Sequence, residues 1–286
     1  GTVWPWPRDR PILPPGMEYP FRTQRELGVV IPVAGLRSAR SAGVGDFADL
    51  SEFAAYLGSN SVRVLQLLPV NDSGGQSSPY SSLTAFALHP VYAAIDRLPE
   101  WKLATKGIKT ALEALREPQP ALGHPTARFD YDAVLRAKLD ILRKLFLRRK
   151  TELSADGPCM DWVEANPWVR IYAVYRSIKQ QHDELPWMQW PDRLQRLDAG
   201  TLAAVWKDGL EAKGDAPDAG FYAWLQWRLV AQLAEARAAA DAAGVVMKGD
   251  LPILINEDSA DVWYHRDIFA PELRAGDRKS TRLNSS

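Results

Sequence analysis

The 286-residue chain has one cysteine, four histidines and no surplus of either charge, with 35 Lys plus Arg against 35 Asp plus Glu. The single Cys159 excludes an intramolecular disulfide and a cysteine-rich metal site, and a small buried hydrophobe is its expected role. His89, His124, His182 and His265 share no ligand spacing, so no metal site is expected. The even charge balance argues against nucleic acid as a partner, because such proteins normally carry a basic excess. No apolar run reaches the length of a membrane-spanning helix, and the opening GTVWPWPRDRP has no apolar signal core. A cytoplasmic protein with no membrane partner is the expectation.

What the chain does have is apolar bulk. Apolar residues make up 46%, enough for a sizeable core, and there are 11 tryptophans. Tryptophan mostly packs cores, but an exposed indole also stacks on the flat faces of sugars. Composition does not choose between these.

Residues 1–24 are proline-rich and read as a linker or irregular lead-in. LGVVIPVAGL (27–36) reads as a buried strand running into a loop. In GDFADLSEFAAYLGSN (45–60), Phe47, Leu50, Phe53, Ala54 and Leu57 recur at helical spacing, with Gly58 near the end as a stop. VRVLQLLPV (62–70) is a second near-continuous apolar strand, which completes a βαβ unit with parallel strands. The polar loop NDSGGQSSPYSSLTAF (71–86) follows, at the strand end where α/β proteins place ligands.

Residues 100–219 carry no convincing strand. Leu135, Leu139, Leu142 and Phe146 stripe a helix over 129–150, whose basic end Arg148, Arg149 and Lys150 reads as solvated. Ile171, Tyr172, Tyr175 and Ile178 stripe another over 168–181. Within this region PWMQWP (186–191) reads as a turn-rich aromatic knot; Trp187 and Trp190 there are expected to pack rather than form a sugar platform. The alternating pattern resumes with a long helix over 220–244 and a third buried strand, VVMKGDLPILI (245–255).

Three stretches, SSPYSSLTAFALHP (77–90), FYAWLQW (221–227) and KGDLPILINEDSADVW (248–263), together with VLQLLPVND (64–72) and LRSARSAGVGDFADL (36–50), closely resemble the 4-α-glucanotransferases. These are also called amylomaltases or disproportionating enzymes and form glycoside hydrolase family 77. The resemblance spans about residues 25–273 and is weak across the helical region. It implies an α/β fold, the N-terminal portion of a (β/α)8 TIM barrel with a large helical insertion. The barrel parts are then 25–99 and 220–276, the insertion is 100–219, and 277–286 is an anomalous tail.

The resemblance also implies an activity: transfer of α-1,4-glucan segments between malto-oligosaccharides with retention of configuration, and no cofactor. Retaining chemistry needs two carboxyl groups about 5 Å apart, one a nucleophile and one an acid/base. In the family these lie on later strands, in part within an Arg-x-Asp-His stretch, and no Arg-x-Asp-His occurs here. No residue of the chain is therefore assigned as catalytic, and these residues alone are expected to be inactive and marginally stable. The tail RKSTRLNSS shows no apolar period and resembles a translated cloning adapter. The alternative from another functional class is a non-catalytic α-glucan-binding module.

Three residues are candidates for substrate contact. Asp250 reads as a nucleophile, a sugar-hydroxyl ligand or a turn-capping acid. The resemblance favours the ligand, at the end of the third strand in the subsite beside the bond cleaved. Tyr80, in a proline-restrained turn, reads as rim packing or as a sugar-stacking ring with a polar tip; the resemblance favours contact with the donor glucan. Ser78 offers one hydroxyl that either bonds the sugar or serves the turn. Asp72 reads as structural, and Asp258 and Asp261 as an N-cap with acids in a first helical turn.

Overall fold

Pro32 ends the first strand early: it has no N–H for the ladder and its ring fixes φ. In the computed structural model, which describes residues 26–116, 130–149, 157–253 and 255–269, strand β1 therefore covers only Gly28–Ile31, and Val33–Gly35 turn into a short 3-10 helix. Helix α1 (Phe47–Ser59) leads to β2 (Val64–Leu67). Helices α2 (Lys106–Arg116), α3 (Tyr131–Arg148), α4 (Pro158–Ala165), α5 (Trp168–Gln181), α6 (Asp192–Gln195) and α7 (Ala199–Leu210) follow. Then come α8 (Ala219–Ala242), β3 (Val246–Lys248) and α9 (Ala260–Tyr264). The lead-in before residue 26 and the tail after 269 lie outside the described residues.

The sheet is parallel in the order β1-β2-β3. Gly28, Val64 and Val246 stand in one row and Val30, Gln66 and Lys248 in the next. Side chains alternate across a sheet, so Leu65 and Leu67 point the other way, where they are buried on the side of α1 and α8. The opposite face is open among the described residues: Val30 is 60% exposed. Parallel sheets are normally covered on both faces, so this three-stranded unit presents a surface built to be covered.

Helix α1 starts where the sequence places it. The Asp46 carboxylate accepts from the Ala48 and Asp49 amides, and Asp49 returns a bond to the Asp46 amide, a capping box. Arg40 locks this start by bonding both Asp46 and Asp49. Gly58 is not the stop: the helix runs to Ser59, and the left-handed residue is Ser61. Gly58 is there because α8 passes close by; a Cβ at this position would sit 2.4 Å from the Ala243 carbonyl oxygen.

Helix α8 is buried on every side from Ala219 to Gln226. Two of its polar residues carry the irregular chain that follows β2. Gln226 accepts from the Leu88 amide and donates to the Leu88 carbonyl, each at 2.8 Å. Gln232 does the same for Ala94, at 3.0 and 2.9 Å. Lys138, fully buried on α3, donates to the Val91 carbonyl at 2.7 Å, and burial pulls its ammonium down to about 8. The expected stripe of α3 is present, with Leu135, Leu139 and Leu142 buried. Its basic end is not simply solvated: Arg148 donates to the Leu103 carbonyl and Arg149 lies 4.0 Å over the Phe146 ring. Lys150 lies outside the described residues.

Substitution Gln226→Leu keeps the volume but strands a buried amide and carbonyl of Leu88. Urea unfolding is expected to register a loss of about 2–4 kcal/mol; a loss below about 0.5 kcal/mol would show that Leu88 finds other partners.

Candidate functional site

The loops that leave β2 and β3 meet above the carboxyl ends of the strands. Gly249 and Pro252 prevent β3 from continuing to 255, and the chain instead turns so that Asp250, two residues past the strand, leaves the ladder. Ile255 rejoins as an isolated parallel bridge to Ser82 in the first loop. The Asn256 amide then donates to the Ser82 carbonyl at 3.1 Å, and the Ala260 amide to the Leu83 carbonyl at 2.9 Å.

This lacing brings two of the three candidates together. The Tyr80 hydroxyl donates to Asp250 Oδ2 at 3.0 Å, across 170 residues of sequence. Asp250 Oδ1 accepts from the Leu251 amide at 3.0 Å. Tyr80 is 37% exposed, so its ring faces solvent while its tip is held. The hydrogen bond to the carboxylate, and to a lesser degree burial, holds the Tyr80 phenol above the usual tyrosine range. Ser78 is exposed at the start of the same turn, and its carbonyl accepts from the Ser81 amide at 3.2 Å. Its hydroxyl is not part of the Tyr80–Asp250 contact. Beneath the turn a cavity of about 160 Å³ is lined by Leu68, Asn71, Ser77, Pro79 and Tyr131, among others. Leu251 and Ile253 beside Asp250 are 75% and 80% exposed.

Two other acids secure the loops. Asp72 is buried and structural, as its sequence context indicates. Its backbone pairs with Leu83 and Ala87, closing the base of the loop that carries Tyr80. Its carboxylate accepts from the Gly74 amide at 2.9 Å and the Tyr172 hydroxyl at 2.7 Å, with Arg176 at 3.6 Å. Asp258 departs from the expected N-cap. Ser259 caps α9 instead, accepting from the Val262 amide, because Asp258 is turned toward α5. It accepts there from the Tyr175 hydroxyl at 2.8 Å, Lys179 at 2.5 Å and the Trp187 amide at 3.1 Å. Asp261 does lie in the first turn of α9 and accepts from the Ala85 amide at 2.7 Å.

Trp187 and Trp190 are buried and donate their indole N–H groups to the Glu257 and Leu185 carbonyls. They form the aromatic knot, not a platform. His89 is buried, caps the 3-10 turn Pro90–Tyr92, and is held below the usual histidine range by burial. Cys159 is buried, the small core residue that its sequence context indicates. Among the described residues no helix is long and apolar enough to cross a membrane, and no group of three or more His, Cys, Asp or Glu could hold a metal ion.

The fold and site define an α/β protein whose polar contacts gather at the carboxyl ends of parallel strands. The family model described as 4-alpha-glucanotransferase, glycoside hydrolase family 77, matches residues 31–277, and the chain belongs to that family. A 4-alpha-glucanotransferase of Chlamydia trachomatis is 31% identical over 256 residues, covering 89% of this chain and 46% of the relative. The chain thus spans about half the length of the curated relatives it matches. Amylomaltase from Corynebacterium glutamicum shares its fold at a TM-score of 0.68 and 22% identity, over 86% of this chain and 33% of that one. Amylomaltase from Streptococcus agalactiae in complex with acarbose does so at 0.64 and 21%, over 88% and 48%.

Tyr172, Tyr175, Arg176 and Lys179 escaped the sequence reading because both tyrosines fit the apolar stripe of α5. The available signal was a tyrosine with a cation four residues on, twice in one helix.

Two titrations follow. Asp250→Asn should return the Tyr80 phenol toward the ordinary tyrosine range, read by NMR; no change would mean that the bond does not persist in solution. Burial also holds the phenols of Tyr131, Tyr172, Tyr175 and Tyr222 above the usual 10.0. The unfolded chain releases these protons near pH 10 while the folded chain keeps them, so their contribution to stability is intact below pH 10 and lost above it. Urea midpoints should fall as pH rises from about 10; midpoints unchanged to about pH 11 would contradict burial of these phenols.

Proposed function

We propose that this chain forms the N-terminal part of a 4-α-glucanotransferase that moves α-1,4-glucan segments between malto-oligosaccharides with retention of configuration. Strands β1 to β3 are then the first three of a (β/α)8 barrel, with residues 100–219 a helical insertion and 25–99 plus 220–276 barrel. The nucleophile and acid/base carboxylates belong to strands beyond β3, whose side chains would cover the open face that carries Val30. No cofactor enters the reaction, and the expected place of work is the cytoplasm.

One observation carries this reading: the Tyr80 hydroxyl and the Asp250 carboxylate meet at 3.0 Å over the strand ends. A carboxylate there can accept charge-assisted bonds from sugar hydroxyls. A half-exposed tyrosine ring beside it supplies an apolar face for a pyranose. Ser78, exposed in the same turn, adds a hydroxyl at the rim. The acarbose complex of the Streptococcus agalactiae amylomaltase supports an α-glucan-like ligand for this fold.

In the full-length protein, Asp250→Ala is expected to lower transfer from maltotriose roughly 100-fold or more, the scale of two lost charge-assisted bonds, without changing the fold seen by circular dichroism. Activity within about twofold of the parent would remove Asp250 from the subsite. Tyr80→Ala is expected to raise the apparent KM for maltotriose about tenfold, and an unchanged KM would remove Tyr80 from donor binding.

A further inference from the structure

Helix α5 grips both site loops with one repeated device. Tyr172 and Arg176, four residues apart and so on one side of the helix, both face Asp72: the Tyr172 hydroxyl donates to it at 2.7 Å, while the Arg176 guanidinium, hydrogen-bonded to Glu184 at 2.7 Å, holds its Nε 3.6 Å from the same carboxylate. Tyr175 and Lys179, also four apart, face Asp258 at 2.8 and 2.5 Å. The second pair is displaced by three residues from the first, about 4.5 Å along the axis. Each grip thus pairs a phenol O–H with a cation on one aspartate, and each aspartate belongs to a different strand-end loop. The tyrosines and Asp72 are buried, so water competes little for these bonds.

Each grip continues to a candidate substrate residue. Asp72 closes the base of the loop whose tip is Tyr80, through Leu83 at 2.7 Å and Ala87 at 2.9 Å. Asp258 lies in the segment that returns from Asp250, and its amide donates to Asn256 Oδ1 at 3.0 Å. The loops lace directly to each other at Ser82–Ile255 and Leu83–Ala260. Lacing fixes their pairing, and α8 holds the chain that follows the first loop at Leu88. Helix α5 adds a hold at Asp72 and Asp258, one in each loop.

We propose that α5 is a two-point brace that sets where Tyr80 and Asp250 stand over the sheet, with Tyr172, Tyr175, Arg176 and Lys179 as positioning residues for glucan binding. This rests on the reading of Tyr80 and Asp250 as glucan contacts. It assigns the helical segment a task in substrate binding, carried by side chains that never touch the sugar.

The test uses the full-length protein and maltoheptaose. Tyr172→Phe and Tyr175→Phe each remove one hydroxyl and keep the ring; Lys179→Gln, with Lys179→Arg as the conservative rescue, covers the case that a phenylalanine variant does not fold. Affinity is measured well below each variant's Tm, with Arg193→Ala as a control that breaks the exposed pair with Asp215 in the same helical segment. Each phenylalanine variant and Lys179→Gln should weaken binding about tenfold, as expected for a misplaced contact, while Lys179→Arg and the control bind as the parent does. The Tyr80 phenol should also move toward the ordinary tyrosine range in the weakened variants.

Parent-like affinity and an unmoved Tyr80 titration in the brace variants, alongside weakened binding in Tyr80→Ala, would overturn the brace and leave the site reading standing. Parent-like affinity in Tyr80→Ala would sink the site reading, and the brace as a device for glucan binding with it. A lower Tm with unchanged affinity would mark Tyr172, Tyr175 and Lys179 as structural only and would also overturn the proposal.

Discussion

The buried carboxylate of Asp72 is the constraint from which the rest of the site follows. A charge that deep in the protein is tolerated only if its lone pairs are filled. The Gly74 amide and the Tyr172 hydroxyl fill them, with Arg176 close by. The backbone of the same residue closes the base of the loop after β2 at Leu83 and Ala87, and its carboxylate ties that base to α5. Once α5 is there, its next turn reaches Asp258, and the loop after β3 is fixed as well. The Tyr80–Asp250 contact stands at the exposed side of the two loops that these buried bonds hold.

The sheet makes a complementary demand. Leu65 and Leu67 are buried on the side of α1 and α8, while in the row Val30, Gln66 and Lys248 on the other face the outer two are exposed and Gln66 is half-buried. Helices on one face and an open second face describe an arc of parallel strands, and curvature of such an arc into a closed barrel is the economical way to bury that row. On this reading the site loops sit at the rim of the closed barrel, where carboxylates from later strands can face Asp250.

Much of this was legible in the sequence, for physical reasons that differ by element. Long apolar stripes such as Leu135–Leu139–Leu142 marked helices because burial acts on a 3.6-residue period. The strands came out shorter than their apolar runs, since Pro32, Gly249 and Pro252 interrupt the ladder inside sequences that still look strand-like. The resemblance to the family singled out Tyr80 and Asp250 before any geometry was known, and Asp72 was correctly read as structural. Asp258 was not read correctly. Its partners lie up to 83 residues away on α5, and a local rule sees only an acid next to a helix start. Tyr172 and Tyr175 were hidden for the opposite reason, because a tyrosine ring satisfies an apolar pattern while its hydroxyl answers to something else.

The most direct measurement is a crystal structure of the full-length protein with a non-hydrolysable malto-oligosaccharide bound. The account predicts one sugar ring against Tyr80 with a hydroxyl on Asp250, and Asp72 and Asp258 still held by α5. A ligand seated elsewhere, with the Tyr80–Asp250 bond intact and facing solvent, would contradict it.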